Sequence, residues 1–354
     1  LNNTFGYSSY RYEQEKIIKS VFSENHTLAI MPTGAGKSLC YQIPAIISSK
    51  KTVIISPLIS LIDDQVSALK ECGVQVAKIH SDMTYDERSS SWNNFKNGKE
   101  KIIYLSPEKI MSEDFLNQLK ALDIGLFVID EIHCVSKWGH NFRPDYNQLS
   151  QLKTLFPNSN IIGFTATADQ TTRLDILEKI FNKNVNVFVS SLDRPNLSLS
   201  ITQKTNWKSQ LLEYLRDRKS QSGIIYCLSK KKTEEVTSLL NDKGFNASTY
   251  HAGLDGQIRK NVQDTFMTEQ AHIVVATIAF GMGIDKPDIR FVIHLNLPGS
   301  VEAYSQEIGR AGRDGNASDT LLIYGLDDLV IRRRMIEENS SEDKFKFHEN
   351  KRLD

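Results

Sequence analysis

Short apolar runs alternate with helix-like segments along most of the chain. This spacing predicts mostly parallel β-sheets with helices packed against them. The runs fall into two series with the same strand and helix rhythm, and no repeat of solenoid length is visible. The predicted strands are residues 28–30, 52–56, 76–79, 102–105, 126–129 and 161–164 in the first series, and 223–227, 247–250, 273–276, 291–294 and 320–324 in the second.

The two series predict two α/β domains in tandem. Residues 190–196 between them contain several turn-forming residues and Pro195, so we expect the domain boundary there. The predicted domains are residues 1–192 and 193–325, followed by a charged, helical segment at 326–354 that begins a further region. A chain of 354 residues has room for two domains of ordinary size.

The composition is that of a globular protein, with 40% apolar and 24% charged residues. The 43 basic and 43 acidic residues cancel, so any site for a polyanion must be a local basic surface. No membrane-spanning apolar run and no secretory leader is visible. The cysteines lack C-x-x-C spacing, which predicts buried thiols in a reducing compartment and no zinc site; they are Cys40, Cys72, Cys134 and Cys227.

Residues 31–38, with the sequence MPTGAGKS, are the first candidate for chemistry. They join a predicted strand to a predicted helix at 39–47, and such a turn points backbone N–H groups and the helix dipole at one spot. Gly34 and Gly36 let the backbone approach a phosphate group, Lys37 can reach the β and γ oxygens, and the Ser38 hydroxyl can hold Mg²⁺. Because Met31 replaces the usual first glycine, an ordinary turn remains the alternative for this segment taken alone.

An aromatic and polar stretch precedes this loop and leads into a helix predicted at residues 14–22. Tyr7 and Arg11 could stack on an adenine ring, and the Gln14 carboxamide could both donate to it and accept from it. The alternative is a hydrophobic staple with the first turn of the helix.

Two adjacent carboxylates, Asp130 and Glu131, follow the apolar run 126–129. Such a run predicts a strand buried on both faces, which ends at the ligand-binding edge of a parallel sheet. There Asp130 would hold Mg²⁺, and Glu131 would orient or deprotonate an attacking water molecule. A helix cap is the alternative, and the presence of Lys37 upstream favours the metal and base roles.

Residues 134–146 form an aromatic and basic loop interrupted by glycine and proline. Exposed rings beside Lys137 and Arg143, such as those of Trp138 and Phe142, would suit stacking on unpaired bases. The alternative is a small core under the loop, to which Tyr146 is the best suited of the three aromatic residues.

The second half contains two further candidate elements. Residues 276–287 form a glycine-bearing turn after a strand, which suits close contact with a phosphate or a phosphodiester. In residues 306–315, Arg310 and Arg313 would share one face if the segment were helical, and could then bind a phosphate group. A salt-bridged helix is the alternative, but Gly309 and Gly312 are poor helix formers.

In this order, the motifs resemble the helicase core of the RecQ family of superfamily-two DNA helicases. The resemblance extends from Phe5 to about Tyr324, and residues 280–284 with the tail near Phe345 resemble the Werner-type branch. The matching stretches are the FGY…Q element, the loop at 32–38 with LCYQ after it, and residues 56–65, 104–108, 130–133, 134–146, 165–168, 250–253 and 306–315.

The resemblance implies two tandem RecA-like lobes with ATP and Mg²⁺ between them. It implies ATP-dependent 3′→5′ movement on single-stranded DNA and unwinding of 3′-tailed duplexes in repair or recombination. Thr33 would join the nucleotide-binding residues, and Lys37 and Glu131 would be catalytic. The resemblance adds a catalytic group from the second lobe, comprising Gln306, Arg310 and Arg313, of which Arg313 stabilises charge when the lobes close.

The resemblance also implies a DNA path and a route of coupling. The DNA backbone would be met by Ser56, Pro57 and Ser60 in the first lobe and by Ser229 and Thr277 in the second. Arg143 of the aromatic loop would also bind nucleic acid, and the family assigns base stacking to Trp138 and Phe142. Gln42, Thr165 and Thr167 would transmit the nucleotide state to this surface.

The chain departs from the family pattern at Ile132, where alanine is usual, at Asn141 instead of aspartate, and at Tyr12 and Glu13 instead of Pro-Gly. None of these changes removes a catalytic group, although they concern the coupling of DNA contact to hydrolysis. The family's zinc-binding cysteines and winged-helix domain are expected to follow Asp354, so residues 1–354 should bind no zinc.

Two functions from different classes remain open at this point. One is an ATP-driven 3′→5′ DNA helicase, and the other is a nucleic-acid-stimulated ATPase that clamps or remodels its substrate, including RNA, without separating strands. Either function predicts an intracellular protein without a membrane partner, in the nucleus of a eukaryote or in the cytoplasm and nucleoid of a bacterium.

Overall fold

The computed structural model describes residues 1–339, except residues 12, 24, 137–142, 167, 183, 192, 282–283 and 285. The chain divides into two compact units, Leu1–Leu192 and Asp193–Asp354. Each unit is built on a β-sheet in which all the described strand pairs are parallel. The predicted fold class, with two α/β units based on parallel sheets, is therefore confirmed.

The first unit has a seven-stranded sheet in the order β3-β4-β2-β5-β6-β1-β7. Its strands are β1 Thr27–Ile30, β2 Lys51–Ile55, β3 Val76–Ile79, β4 Ile102–Leu105, β5 Ile124–Ile129, β6 Asn160–Thr165 and β7 Asn186–Val189. Its helices are α1 Asn2–Phe5, α2 Gln14–Phe22, α3 Lys37–Ile47, α4 Ile59–Glu71, α5 Tyr85–Lys96, α6 Pro107–Ile110, α7 Glu113–Lys120, α8 Pro144–Asn147, α9 Leu152–Leu155 and α10 Gln170–Phe181. Two 3₁₀ turns, Ile132–Val135 and Gln148–Gln151, lie between β5 and α9.

The second unit has a six-stranded sheet in the order β10-β11-β9-β12-β13-β8. Its strands are β8 Leu197–Gln203, β9 Ser222–Tyr226, β10 Asn246–Tyr250, β11 His272–Ala276, β12 Ile289–His294 and β13 Ser318–Tyr324. Its helices are α11 Trp207–Leu215, α12 Lys230–Asp242, α13 Gly256–Thr268, α14 Val301–Ile308 and α15 Leu326–Asn339.

Each sheet buries both of its faces. Successive residues of a strand point to opposite faces, so Val53 and Phe127 lie in one hydrophobic cluster of the first unit and Ile54 and Val128 lie in the other. The second unit repeats this arrangement with clusters on both sides of β9 and β12. Burial on two faces explains why the central strands are continuous apolar runs.

Each predicted run overlaps an observed strand, and its ends differ from those of the strand by two residues at most. Strands β7 and β8 were not predicted; both are edge strands whose side chains are mostly exposed. An edge strand can carry polar residues on an exposed face, so its apolar signal is weak. The prediction of buried thiols is wrong for Cys72, which follows α4 and is exposed, and holds for Cys40, Cys134 and Cys227.

In the first unit, the carboxyl ends of β1, β2, β5 and β6 lie at the same edge of the sheet because the strands are parallel and adjacent in register. The candidate loop at 31–36, Ser56, Asp130 and Thr165 stand at this edge. Among the described residues, no helix is long and apolar enough to cross a membrane.

Candidate functional site

The loop after β1 has a backbone that requires glycine at two positions. Gly34 and Gly36 have φ angles of 82° and 73°, in the left-handed region that disfavours larger residues. A Cβ atom on Gly36 would also lie 2.4 Å from Gln14 Nε2. The loop leads directly into α3, whose first N–H groups have no partner within the helix. The geometry is that of an anion cradle at a helix N-terminus.

Lys37 and Ser38 occupy the first turn of α3, next to this cradle. Lys37 Nζ donates a hydrogen bond to the Met31 carbonyl at 3.4 Å, so its ammonium folds back over the loop. The same ammonium acts electrostatically on Asp130, at the end of the neighbouring strand β5. The tertiary structure thus brings together a cation and an acid that are far apart in the sequence.

Asp130 is a buried carboxylate, with 8% of its surface exposed. One of its oxygens, Oδ1, accepts a hydrogen bond from the Glu131 backbone N–H at 3.0 Å. Burial and the charge of Glu131 raise the pKa of Asp130 to about 7, while Lys37 opposes this shift. A divalent cation prefers oxygen ligands and would offset the repulsion between these two carboxylates. The residues present, with the Ser38 hydroxyl at the start of α3, therefore fit Mg²⁺.

Glu131 has an unusual backbone conformation for a residue with a side chain, with φ 48° and ψ 46°. Strain of this kind, of order 1 kcal/mol or more, is concentrated at functional sites. Its Oε2 atom lies 3.3 Å from His133 Nδ1, which also lies 2.9 Å from Thr165 Oγ1. Burial lowers the pKa of His133, but contacts with Cys134 and Glu131 outweigh burial and raise it to about 10. The His133 imidazole therefore contacts both the Glu131 carboxylate and the end of β6.

Gln14 lies directly on the loop. Its Nε2 donates to the carbonyls of Ala35 and Gly36 at 3.0 and 3.1 Å, and its Oε1 accepts from the Arg11 backbone N–H at 2.8 Å. Tyr7 is 48% exposed, and the Arg11 side chain is also on the surface. Gln14 is therefore bonded to the candidate loop, whereas Tyr7 and Arg11 are exposed to solvent.

The predicted nucleic-acid residues of the first unit lie at the end of β2 and the start of α4. Ser56 and Pro57 are buried, whereas Ser60 is exposed in the first turn of α4. The Ser56 hydroxyl is buried and has no hydrogen-bond partner in the described part of the chain. Arg143 Nη1 donates to the Pro57 carbonyl at 2.5 Å, which joins the aromatic loop to this segment. Trp138, Phe142 and Thr167 lie outside the described residues.

Tyr146 is fully buried in the core of the first unit. Its hydroxyl donates to the Asp130 carbonyl at 3.0 Å, so the end of the aromatic loop is bonded to the residue that directly follows β5. The core alternative stated for Tyr146 is thus the observed one.

Gln42 makes two contacts that the sequence analysis missed. Its Nε2 donates to Gln65 Oε1 in α4 at 2.8 Å and to the Tyr104 hydroxyl at 3.2 Å. Helix α3, which follows the glycine-bearing loop, is therefore hydrogen-bonded to helix α4, whose first turn contains Ser60. The sequence places the polar Gln65 beside the apolar positions of α4, where a polar residue usually has a hydrogen-bond partner. No local pattern identifies that partner as Gln42.

In the second unit, Ser229 and Thr277 follow β9 and β11 at the carboxyl edge of the sheet. The Ser229 hydroxyl caps α12 by accepting from the Lys232 N–H at 3.2 Å. The Thr277 backbone N–H donates to the Tyr250 carbonyl at 3.1 Å. Of the glycine-bearing turn after Thr277, residues 282, 283 and 285 lie outside the described residues.

The two arginines do not share a helical face. Helix α14, which contains Gln306, ends at Ile308, and both arginines lie in the turns that follow Gly309. Arg310 is 6% exposed and donates through Nη1 to the Gly281 carbonyl. Arg313 is half-buried and donates through Nη1 to the Ile284 carbonyl at 2.8 Å. Helix α14 ends before Gly309, so the two arginines are not part of it. Both guanidinium groups instead donate to backbone carbonyls of the glycine-bearing turn.

Two family models match the chain, one in each unit. The model described as DEAD/DEAH box helicase matches residues 11–175, and the model described as helicase conserved C-terminal domain matches residues 206–315. The ATP-dependent DNA helicase RecQ of Pasteurella multocida is 44% identical over 92% of this chain and 51% of its own length. The RecQ of Bacillus subtilis is 39% identical over 98% of this chain and 59% of its own length.

The chain belongs to the RecQ family of helicases. A mammalian relative, the ATP-dependent DNA helicase Q1 of Mus musculus, is also 39% identical over 97% of this chain and 55% of its own length. The chain thus spans between half and three fifths of the length of these RecQ relatives.

Solved structures support the helicase fold of this RecQ chain. The Mycobacterium smegmatis helicase Lhr, bound to ssDNA and AMP-PNP, has a TM-score of 0.70 at 19% identity and covers 94% of this chain and 48% of its own. A DEAD-box helicase bound to ssRNA has a TM-score of 0.72 at 19% identity and covers 97% of this chain and 77% of its own. At this identity the likeness concerns the RecA-like fold alone.

Proposed function

We propose that this chain is the ATP-driven motor of a DNA helicase that moves 3′→5′ on single-stranded DNA and unwinds duplexes with a 3′ tail. The observation that carries the proposal is the cradle of Gly34, Gly36 and Lys37 facing Asp130 in a RecQ-family chain. In this proposal the protein acts on chromosomal DNA in repair or recombination. It would then work in the nucleus of a eukaryote or in the cytoplasm and nucleoid of a bacterium.

The first unit is proposed to bind ATP. The backbone N–H groups of residues 33–38, with the Thr33 side chain, hold the phosphates, and Lys37 neutralises the β and γ oxygens. Tyr7, Arg11 and Gln14 bind the adenine, for which Gln14 exchanges part of its present hydrogen bonding to the loop. Ser38 and Asp130 would hold Mg²⁺, which supplies positive charge at the phosphate oxygens when bound.

Glu131 is proposed as the base that orients and deprotonates the attacking water. His133, whose Nδ1 atom lies 3.3 Å from the carboxylate, limits the positions that the carboxylate can adopt. His133 in turn contacts Thr165, at the end of β6. A movement of the Glu131 carboxylate would therefore be transmitted to Thr165 on β6 through the His133 ring.

Gln306, Arg310 and Arg313 of the second unit are proposed to act in the same reaction. Arg313 has the greater exposure of the two arginines and is assigned to the charge that develops on the transferred phosphoryl group. Arg310 is buried against Gly281, so its contribution is to hold the glycine-bearing turn in place. That turn follows Thr277, which we assign to the DNA backbone.

DNA contact is assigned to both units. Ser60, at the exposed start of α4, and Ser229, at the start of α12, each offer a hydroxyl beside helix N–H groups, which together suit a phosphodiester. The remaining contacts are assigned to Ser56, Pro57, Arg143 and Thr277, with base stacking by Trp138 and Phe142.

The hydrogen bond between Gln42 and Gln65 supports a route of coupling in the first unit. Helix α3 begins at the phosphate cradle, and α4 begins beside Ser60, so the bond lies between the two proposed ligands. A small movement of α3 on hydrolysis would be passed to α4, because packed helices move as rigid elements.

A directional translocation assay tests the proposal. ATPase activity is measured with single-stranded DNA and single-stranded RNA of the same sequence, and streptavidin is displaced from oligonucleotides biotinylated at either end. We expect stronger stimulation by DNA, and displacement from the 5′ end, toward which a 3′→5′ motor moves. Lys37→Ala is the inactive control. Equal stimulation by RNA with no displacement from either end would instead support the clamp or remodelling function.

A further inference from the structure

The first turn of helix α15 contains a buried carboxylate, Asp328, that is assigned no role in the proposed binding of ATP or DNA. The Asp328 side chain has no exposed surface. Its Oδ1 accepts from Lys204 Nζ and from Asn296 Nδ2, both at 2.7 Å. Its Oδ2 accepts from the backbone N–H groups of Gly325 and Leu297 at 3.0 and 3.2 Å. Each oxygen therefore meets two donors.

Only one of these four bonds is needed to begin the helix. The bond from Gly325 N–H to Asp328 is the N3 arm of a capping box, in which the side chain at N3 accepts from the N-cap N–H. The other three bonds reach Lys204 after β8 and the segment of Asn296 and Leu297 after β12. Burying a charge is unfavourable unless its partners are well placed, so a larger role than capping is indicated.

The segment after β12 is held from two places on α15. Asp328 binds Asn296 and Leu297, and one turn later Arg332 donates through Nε and Nη2 to the Leu297 carbonyl at 3.0 and 2.9 Å. Both side chains lie on the same face of the helix, four residues apart. This face of α15 therefore clamps the loop that follows β12.

Asn296 links Asp328 to the segment that follows β9, at the carboxyl edge of the sheet. Its Oδ1 accepts from the Leu228 backbone N–H at 3.2 Å, while its Nδ2 donates to Asp328. Leu228 directly precedes Ser229, whose hydroxyl caps α12. Two hydrogen bonds thus lead from the Asp328 carboxylate to the backbone next to Ser229. The acceptor of one bond and the donor of the next belong to the same amide group, so Asn296 can bridge them in one orientation only.

We propose that Asp328 is a positioning residue for nucleic-acid contact at Ser229, and that α15 sets the affinity of the second unit for the DNA strand. The inference rests on the proposed function, in which Ser229 meets the DNA backbone. The carboxylate orients Asn296, Asn296 fixes the peptide N–H of Leu228, and the start of α12 is thereby held in one position. Loss of the carboxylate releases the contact without touching ATP.

The test is Asp328→Asn, because an amide of the same size must turn its NH₂ group toward at least one pair of donors. ATPase activity is measured against the concentration of single-stranded DNA. We expect the half-saturating DNA concentration to rise about tenfold, equivalent to about 1.4 kcal/mol, and turnover at saturating DNA to stay within about twofold of the parent. The matched control is Asp327→Asn, since Asp327 is 65% exposed and lies 3.6 Å from the same Lys204 ammonium.

A second variant separates positioning from folding stability. Asn296→Ala removes the bridge to Leu228 but leaves Asp328 with Lys204, Gly325 and Leu297, and it should also raise the half-saturating DNA concentration. Thermal unfolding is measured for every variant. A lower melting temperature with unchanged half-saturation in both variants would overturn the inference and leave Asp328 a purely structural residue. Absence of DNA stimulation in the parent chain would instead contradict the proposed function, so the two failures are distinguishable.

Discussion

The Ile132 side chain is packed against the backbone of Gly163 on the neighbouring strand. A Cβ atom on Gly163 would lie 2.2 Å from Ile132 Cδ1 and 3.3 Å from both of its γ carbons. Ile132 is fully buried in the 3₁₀ turn that follows the acidic pair Asp130 and Glu131. The isoleucine, which stands where the resemblance to the family leads us to expect alanine, is therefore accommodated by a glycine on β6.

Gly163→Ala should therefore destabilise the first unit by about 1–3 kcal/mol, the usual cost of an overpacked core. The added methyl group meets three atoms of a buried, branched side chain that has no room to move. Ile132→Ala in the same chain should recover most of the loss, which denaturant unfolding of the single and double variants measures as a coupling energy. Gly256→Ala is the control, since a Cβ there meets nothing within 4 Å. Additive effects of the two substitutions would contradict the packing relationship.

Lys37→Ala should abolish ATP hydrolysis, because the β and γ phosphate oxygens lose their nearest protein cation. Glu131→Gln should bind ATP with near-parental affinity but turn it over slowly, because an amide cannot accept the proton of the attacking water. Nucleotide affinity by fluorescence titration and turnover under saturating DNA separate the two effects. Hydrolysis by Glu131→Gln at the parental rate would remove the base assignment.

Arg313→Ala should leave ATP affinity almost intact and reduce turnover, by roughly a thousandfold if Arg313 acts as an arginine finger. The reason is that a finger interacts mainly with charge that develops in the transition state. Arg216→Ala is a suitable control because its side chain is 73% exposed. Loss of ATP binding with normal turnover of the bound fraction would show that Arg313 acts in binding and not in catalysis.

Gln65→Ala should weaken the link between DNA binding and hydrolysis. The variant loses a hydrogen bond to Gln42 that is worth about 1 kcal/mol, so we expect the stimulation of ATPase by single-stranded DNA to fall about fivefold. Affinities for ATP and for DNA, measured separately, should change little. Gln118→Ala on α7 is the control, since that side chain is exposed. If Gln42→Ala and Gln65→Ala have additive effects, the two residues do not act as one link.

The central strands and their motifs could be predicted from local sequence because several physical requirements coincide there. A strand buried on both faces must be apolar throughout, and the polar residues at its carboxyl end then stand out, as Asp130 and Glu131 do after β5. The glycine-bearing turn after β1 was also predictable, because Gly34 and Gly36 have the positive φ angles that the loop requires. The predicted helix at residues 14–22 matches α2, Gln14–Phe22.

Features that depend on contacts between residues distant in the sequence could not be predicted from local patterns. The edge strands β7 and β8 have weak apolar patterns because little covers them. The helical face predicted for Arg310 and Arg313 does not form, and the burial of Arg310 depends on the Gly281 carbonyl, 29 residues upstream.

The sequence by itself determined the two parallel-sheet units, the glycine-bearing turn after β1 and the family of this protein. Only the tertiary structure decided that Gln42 bonds to Gln65, that Ile132 fills the space left by Gly163, and that Asp328 reaches Leu228 through Asn296. Such contacts join residues from different elements, and their geometry follows from how strands and helices pack. Local patterns encode which face of an element is buried, but not which side chain it meets there.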